Sequence, residues 1–306
     1  MLKRKALRKI FVTTFVLFIL LTIYLIPVNK KENSNNIVYK YSNSEEVSVY
    51  LLNNNLQLTK VNLKIGSDSL DDTVKSIIKK LTVSNDATVP NCFEQVIPKD
   101  VKLLDVQIDE GIIYLNFSKE ILDIPHDSIE RVVESITYSL LDLDNIVGVS
   151  IYANGENISG LFPKDIPNVI TKEYGINKRI ELKNFFDISK IVIYYVDNID
   201  NQNYYVPITK YINDKRDKIK IIIDQLSSNY IFEPNLMSLL DENIKLINYE
   251  INNDIMILNF NNSIFLNQDK ILEEVVYSIS YSVFANYDID EIIFEVNGNE
   301  ILKNSK

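Results

Sequence analysis

The chain carries one 61-residue pattern twice, and this repetition restricts its possible folds more than any other feature. Residues 98–158 align without a gap onto residues 241–301 at a constant offset of 143, with 19 of the 61 positions identical. Val101-Lys102-Leu103-Leu104 falls on Ile244-Lys245-Leu246-Ile247. Leu115-Asn116-Phe117 falls on Leu258-Asn259-Phe260, Tyr138 on Tyr281, and Asn154-Gly155 on Asn297-Gly298. With small shifts the match reaches back to Val47–Leu52 and Ile191–Val196. Solenoid repeats run to roughly 20–50 residues and need at least three copies. Two copies of this period instead predict two tandem domains, each of about 110 residues.

Each copy has the same periodicities. Val47–Leu52 is rich in β-formers and reads as a strand. Leu70, Val74, Ile77, Ile78 and Leu81 recur at helical spacing, with Asp71-Asp72 at the start and Lys79-Lys80 at the end, a charge order that suits the helix dipole. Runs at 101–108 and 112–117 flank Asp109-Glu110-Gly111, a hairpin signal. Ser128 is the expected N-cap of a helix with Ile129, Val132, Val133, Ile136 and Leu140 on one face. Val147–Ala153 closes the unit as a strand. The second copy repeats this at 190–196, 215–226, 244–251, 255–260, 270–285 and 290–296, and Tyr204–Ile208 and Leu56–Val61 are expected to form hairpins with the opening strands. The expected fold class is α+β: two tandem β-α-β-β-α-β units of split-βαβ type, with helices on one sheet face.

Ahead of the repeats, residues 10–28 (IFVTTFVLFILLTIYLIPV) form 19 uncharged positions, long enough as a helix to cross about 28 Å of hydrocarbon. Basic residues crowd the N-terminal flank, which places residues 1–9 in the cytoplasm and the body outside it. The run lacks a small-residue cleavage site, so an uncleaved single-pass membrane anchor is expected. The expected organisation is a cytoplasmic tail (1–9), an anchor (10–28), a polar tether (29–45), a first domain (46–160), a linker (161–188), a second domain (189–302) and a short tail (303–306).

Seven of the 32 basic residues lie within residues 1–31, leaving 25 against 42 acidic residues in the remainder. A body this acidic repels nucleic acid, whose binding rests on phosphate neutralisation. One cysteine and one histidine exclude a disulfide framework and histidine-rich metal centres. Cys92 reads as a free thiol and His126 as a surface loop residue. Seven glycines leave no glycine-rich phosphate loop. The acid pairs Glu45-Glu46, Asp71-Asp72 and Glu273-Glu274 are no more than a chain with 42 acids produces by chance. No catalytic residue, metal site or cofactor is expected. Leu115, Asn116, Phe117, Tyr138, Asn154 and Gly155, with their counterparts Leu258, Asn259, Phe260, Tyr281, Asn297 and Gly298, are assigned structural roles; Asn-Gly suits a tight turn with positive φ.

The opening strands VSVYLLNN and IVIYYVDN, the I-P-x-x-V-K-L-L run at 97–104, the L-N-F strand ends, the V-V-x-S-I-[TS]-Y-S helix and the closing N-G together resemble the GerM-domain family of spore-forming bacteria. The resemblance spans nearly all of residues 46–302 as two copies. It implies a fold similar to ring-building motifs and a non-enzymatic role in a sporulation or germination complex of the cell envelope, in the space around the forespore. The implied partners are envelope proteins or a second copy of the chain. The competing reading is a sensory ectodomain that captures a cell-wall fragment or peptide.

Overall fold

The computed structural model describes residue 14 and residues 44–306 except 164, 229, 230 and 232. Apart from Thr14, the apolar run 10–28 and the tether up to 43 lie outside the described residues; among those described, no helix is long and apolar enough to cross a membrane. Both copies of the repeat fall in one unit, Ser42–Lys306.

The first copy opens with a hairpin, β1 (Ser44–Leu52) and β2 (Leu58–Gly66). Helix α1 (Leu70–Leu81) follows, capped by the Ser69 hydroxyl, which accepts from Asp72 N–H. A second hairpin, β3 (Leu103–Asp109) and β4 (Ile112–Phe117), turns through Glu110 and Gly111 at φ 47° and 78°. Gly111 is required twice over, because a Cβ there would also lie 2.7 Å from the Asn145 carbonyl. Helix α2 (His126–Leu141) crosses back so that β5 (Gly148–Ala153) runs parallel to β4, and the short β6 (Glu156–Asn157) finishes the unit. Strand β7 (Arg179–Glu181) lies in the linker. The second copy comprises β8 (Ile188–Ile199), β9 (Gln202–Asn213), α3 (Lys218–Leu226), β10 (Leu236–Met237), β11 (Leu246–Asn252), β12 (Ile255–Phe260), α4 (Glu273–Asn286), β13 (Glu291–Val296) and β14 (Asn299–Ser305).

The repetition extends to register. Ile112 pairs with Gly148 and Ile255 with Glu291, each at the offset of 143, and both copies bulge at the same place, skipping Leu104 and Ile247. Leu115, Phe117, Leu258 and Phe260 are fully buried in the two main cores. Asn154-Gly155 and Asn297-Gly298 form two-residue turns with both φ positive, and Asn116 Oδ1 and Asn259 Oδ1 accept the glycine N–H at 2.8 and 3.0 Å.

The fold departs from the sequence-based expectation in three respects. Helix α2 begins at His126, two residues before Ser128, because Pro125 sets the entry and its carbonyl accepts from Ser128 and Ile129 N–H. The opening hairpins do not join the sheets of their own copies. They form one six-stranded sheet across both copies, in the order β1-β2-β9-β8-β10 with β7 on β9. The second halves form two separate four-stranded sheets. Finally, α2 is buried almost all round rather than on one face, since it touches β1 on one side and β5 on the other.

Candidate interaction site

β1 and β8 carry edges that the sheet leaves unpaired at Tyr50 and Tyr194, and mid-helix hydroxyls cover them. Ser139 Oγ accepts from Tyr50 N–H at 2.9 Å, and Ser282 Oγ accepts from Tyr194 N–H at the same distance. Ser135 donates to the Tyr50 carbonyl at 2.6 Å, whereas the hydroxyl of its counterpart Ser278 is buried with no hydrogen-bond partner among the described residues. The serines of the V-V-x-S-I-[TS]-Y-S motif thus seal sheet edges. The sequence reading gave these serines no role of their own; their small size within an otherwise apolar helix was the available signal.

Equivalent residues of the two copies meet each other, as in an isologous dimer. The Tyr50 and Tyr194 hydroxyls are 2.9 Å apart. Tyr50 Oη donates its single proton to Asp142 (3.2 Å), so Tyr194 is the donor to Tyr50. Burial, reinforced by the Asp142 carboxylate, holds both phenols well above their ordinary pKa. Asn53 donates to Asp197, again its counterpart, at 2.9 Å.

This near-twofold arrangement creates two grooves. The first lies between α2 and β9, and the linker fills it. Ile176 is fully buried against Tyr50, Leu58 and Tyr138. Asn177, at φ 49°, bridges the two hairpins by accepting from Leu58 N–H and donating to the Leu58 and Pro207 carbonyls. Lys178 pairs with Glu130 at 2.8 Å, Arg131 donates to Asn177, and the buried Glu134 accepts from Asn177 N–H. Burial raises the Glu134 pKa despite the nearby Arg131 and Lys178. Tyr138 Oη donates to the Lys172 carbonyl.

The second groove lies between α4 and β2 and is an open cleft of about 740 Å³. Its helix wall is Glu273, Glu274, Tyr277 and Tyr281, the positions 143 beyond Glu130, Arg131, Glu134 and Tyr138. Tyr277 stacks on Tyr281 (5.4 Å), Tyr205 meets Tyr281 edge-on (5.2 Å), and the Lys60 ammonium sits 4.5 Å over the Tyr281 ring. Burial pushes the Tyr281 phenol up to about 12. Of the positions singled out in sequence, Tyr138 and Tyr281 therefore lie in these grooves; the other ten belong to the strand ends and turns described above. Glu273 and Glu274, dismissed as a chance acid pair, line the open cleft.

The model of the Germane family, described as sporulation and spore germination, matches residues 48–159 and again residues 192–302. The chain belongs to this family. Among Germane relatives, the Spore germination protein GerM of Bacillus subtilis (strain 168) is 28% identical over 230 residues, covering 71% of this chain and 62% of that protein. The chain thus spans less than two thirds of that relative's length. The solved structure of the tandem GerMN domains of the sporulation protein GerM from Bacillus subtilis matches with a TM-score of 0.75 at 25% identity, over 84% of this chain and 92% of that one. The Germane assignment accounts for the tandem architecture and connects the chain with sporulation and germination.

His126 opens α2 and packs edge-on against Phe162 at 6.0 Å, rather than lying in a loop. Cys92 is a free, half-buried thiol whose pKa burial raises. Phe185 and Phe186, 89% and 77% exposed, project from the linker, and Ile180 of β7 is exposed as well.

Proposed function

We propose that this protein is a non-enzymatic scaffold of the cell envelope, held by the segment 10–28 with its body outside the cytoplasm, and that it supports a sporulation or germination complex. The observation that carries the reading is the joining of two Germane copies through matched residues, Tyr50 to Tyr194 and Asn53 to Asp197. Such an interface suits a rigid body that presents surfaces to partners. The acidic body favours partners with basic contact segments. A fluorescent fusion followed through growth and sporulation tests the proposal. Signal that appears during sporulation and gathers around the forespore is expected; uniform envelope signal in growing cells overturns it. A second reading, capture of a cell-wall fragment, draws on the tyrosine-lined cleft and requires binding to soluble peptidoglycan fragments that Tyr281→Ala abolishes.

A further inference from the structure

The two grooves differ in one respect that bears on function: the strand edge in one is occupied and in the other is bare. Tyr50 directs its N–H and C=O toward α2, away from β2. In an antiparallel ladder its partner Lys60 then directs its own main-chain groups away from β1, as do Asn62 and Lys64 by alternation. β2 meets β9 only at Lys60, opposite Tyr205. The main-chain groups of Asn62 and Lys64 therefore face the open cleft, with no partner among the described residues.

The same construction holds on the other side. Tyr194 N–H is taken by Ser282, and Tyr194 pairs with Pro207, so Pro207, Thr209 and Tyr211 direct their main-chain groups outward. A proline is tolerated there because its missing N–H faces no ladder. Matching the Tyr50–Lys60 pair to the Tyr194–Pro207 pair sets Asn62 on Thr209 and Lys64 on Tyr211. Thr209 and Tyr211 are the residues the linker uses. Thr209 N–H donates to the Ile176 carbonyl at 2.9 Å, and β7 runs parallel to β9 with Ile180 opposite Tyr211.

We propose that the open groove binds an extended segment of an envelope partner as a strand parallel to β2, in the way the linker occupies the groove on β9. The inference rests on the scaffold reading and deepens it. Main-chain bonds to Asn62 and Lys64 supply affinity, and side-chain positions supply selectivity. Selectivity follows from the helix wall. Glu273 stands where Glu130 holds Lys178, and has no cationic partner among the described residues. Where the filled groove has Arg131 and Glu134, the open one has Glu274, whose carboxylate accepts from the Asn203 amide at 2.7 Å, and Tyr277, so it offers a second acid and an aromatic floor in place of an ion-paired site. The occupant is accordingly an extended peptide with a lysine or arginine facing Glu273 and an apolar residue on Tyr277 and Tyr281.

The test is amide hydrogen exchange on the full-length chain, with and without a synthetic peptide of residues 174–181 (YGINKRIE) as probe. Saturating peptide is expected to slow exchange at Asn62 and Lys64 by about tenfold or more. Asn62→Pro removes the donor facing the cleft while leaving the β1 ladder bonds in place, and abolishes the protection. Glu273→Lys weakens binding about tenfold, and a probe carrying K178E binds that variant better than it binds the wild type. Absence of protection, or protection indifferent to both variants, overturns the proposal. So does protection that precedes peptide addition, whether it grows with protein concentration (a second copy) or disappears on deletion of residues 29–43 (the chain's own tether). Localisation separates the two levels of the argument. If both groove variants still gather around the forespore, the groove assignment falls and the scaffold stands. If the wild type itself does not gather there, the scaffold reading falls whatever the peptide does.

Discussion

The two copies have superposable strand registers and opposite groove contents. In the groove walled by α2, buried Glu134 is held by Asn177 N–H and flanked by Arg131 and Lys178. In the groove walled by α4, the equivalent position is Tyr277, half-buried at the cleft. Duplication therefore preserved the parts that make each core and let the parts at the junction diverge. An internal linker can satisfy only one of two equivalent edges, because there is only one linker. Symmetry of the cores with asymmetry of the grooves is the property to challenge.

The largest effect is expected where the linker fills its groove. Ile176→Ala should cost about 2–5 kcal/mol, since Ile176 is fully buried among Tyr50, Leu58 and Tyr138. Tyr277→Ala, on the open side, should cost only about 1 kcal/mol, mainly the lost ring contacts with Tyr205 and Tyr281. Chemical denaturation of both variants checks this, and equal losses would mean that the two grooves are equally filled in solution.

The edge serines offer a second contrast. Ser135→Ala strands the Tyr50 carbonyl and should cost about 1–3 kcal/mol. Ser278→Ala removes a hydroxyl that already lacks a partner, and should be neutral or slightly stabilising. By contrast Ser139→Ala and Ser282→Ala should hurt alike, as each orphans a tyrosine N–H. Thermal melts of the four variants would show two pairs, one split and one matched.

A smaller effect measures the matched contact between copies. A double-mutant cycle on Tyr50→Phe and Tyr194→Phe should give a coupling of about 1 kcal/mol, the net worth of a buried neutral hydrogen bond. Zero coupling would indicate that the copies are held together by the linker and the Asn53–Asp197 contact instead.

The filled groove should also leave a pH signature that the open one lacks. Burial raises the Glu134 pKa, so the folded chain binds this proton more readily than the unfolded chain does. Its contribution to stability therefore falls as pH rises from the ordinary carboxylate value through the raised one. Relative to Glu134→Gln, the wild type should be less stable at neutral pH than at the acid end of that window. Denaturation midpoints of the two proteins across pH 4 to 8, a span set by ordinary carboxylate behaviour at about 4.3, test the sign.

Much of this was readable before the structure. The helix at 70–81, with its apolar residues three and four apart, the second-half strands and the Asn-Gly turns follow from local periodicity and turn chemistry, which the duplication reports twice. The joining of the opening hairpins into one sheet was not readable, because it depends on pairing between Lys60 and Tyr205, far apart in the chain. Nor was β7: Arg179-Ile180-Glu181 is too short for its alternation to signal a strand, and it becomes one because β9 presents a bare edge. Glu273 and Glu274 looked like noise for a related reason. Their meaning lies in what Glu130 and Arg131 do on the opposite groove, which only the three-dimensional pairing of copies reveals.

The linker's outer half supplies the smallest expected effect and separates a structural linker from one that also presents a surface. Beyond β7 the chain turns outward, and Asn213 fixes it by accepting from Lys183 and Asn184 N–H and donating to the Phe186 carbonyl. The backbone is thus held while the rings of Phe185 and Phe186 stay in solvent. Since little ring area leaves water on folding, replacing both with serine should change stability by less than about 0.5 kcal/mol. Asn213→Ala, which frees the backbone beneath them, should cost more, about 1 kcal/mol, because it removes bonds at a fixed turn. If the double phenylalanine variant instead melts several degrees lower, these rings are packed in solution, and the linker contributes to the fold on both its faces rather than only on the face that enters the groove.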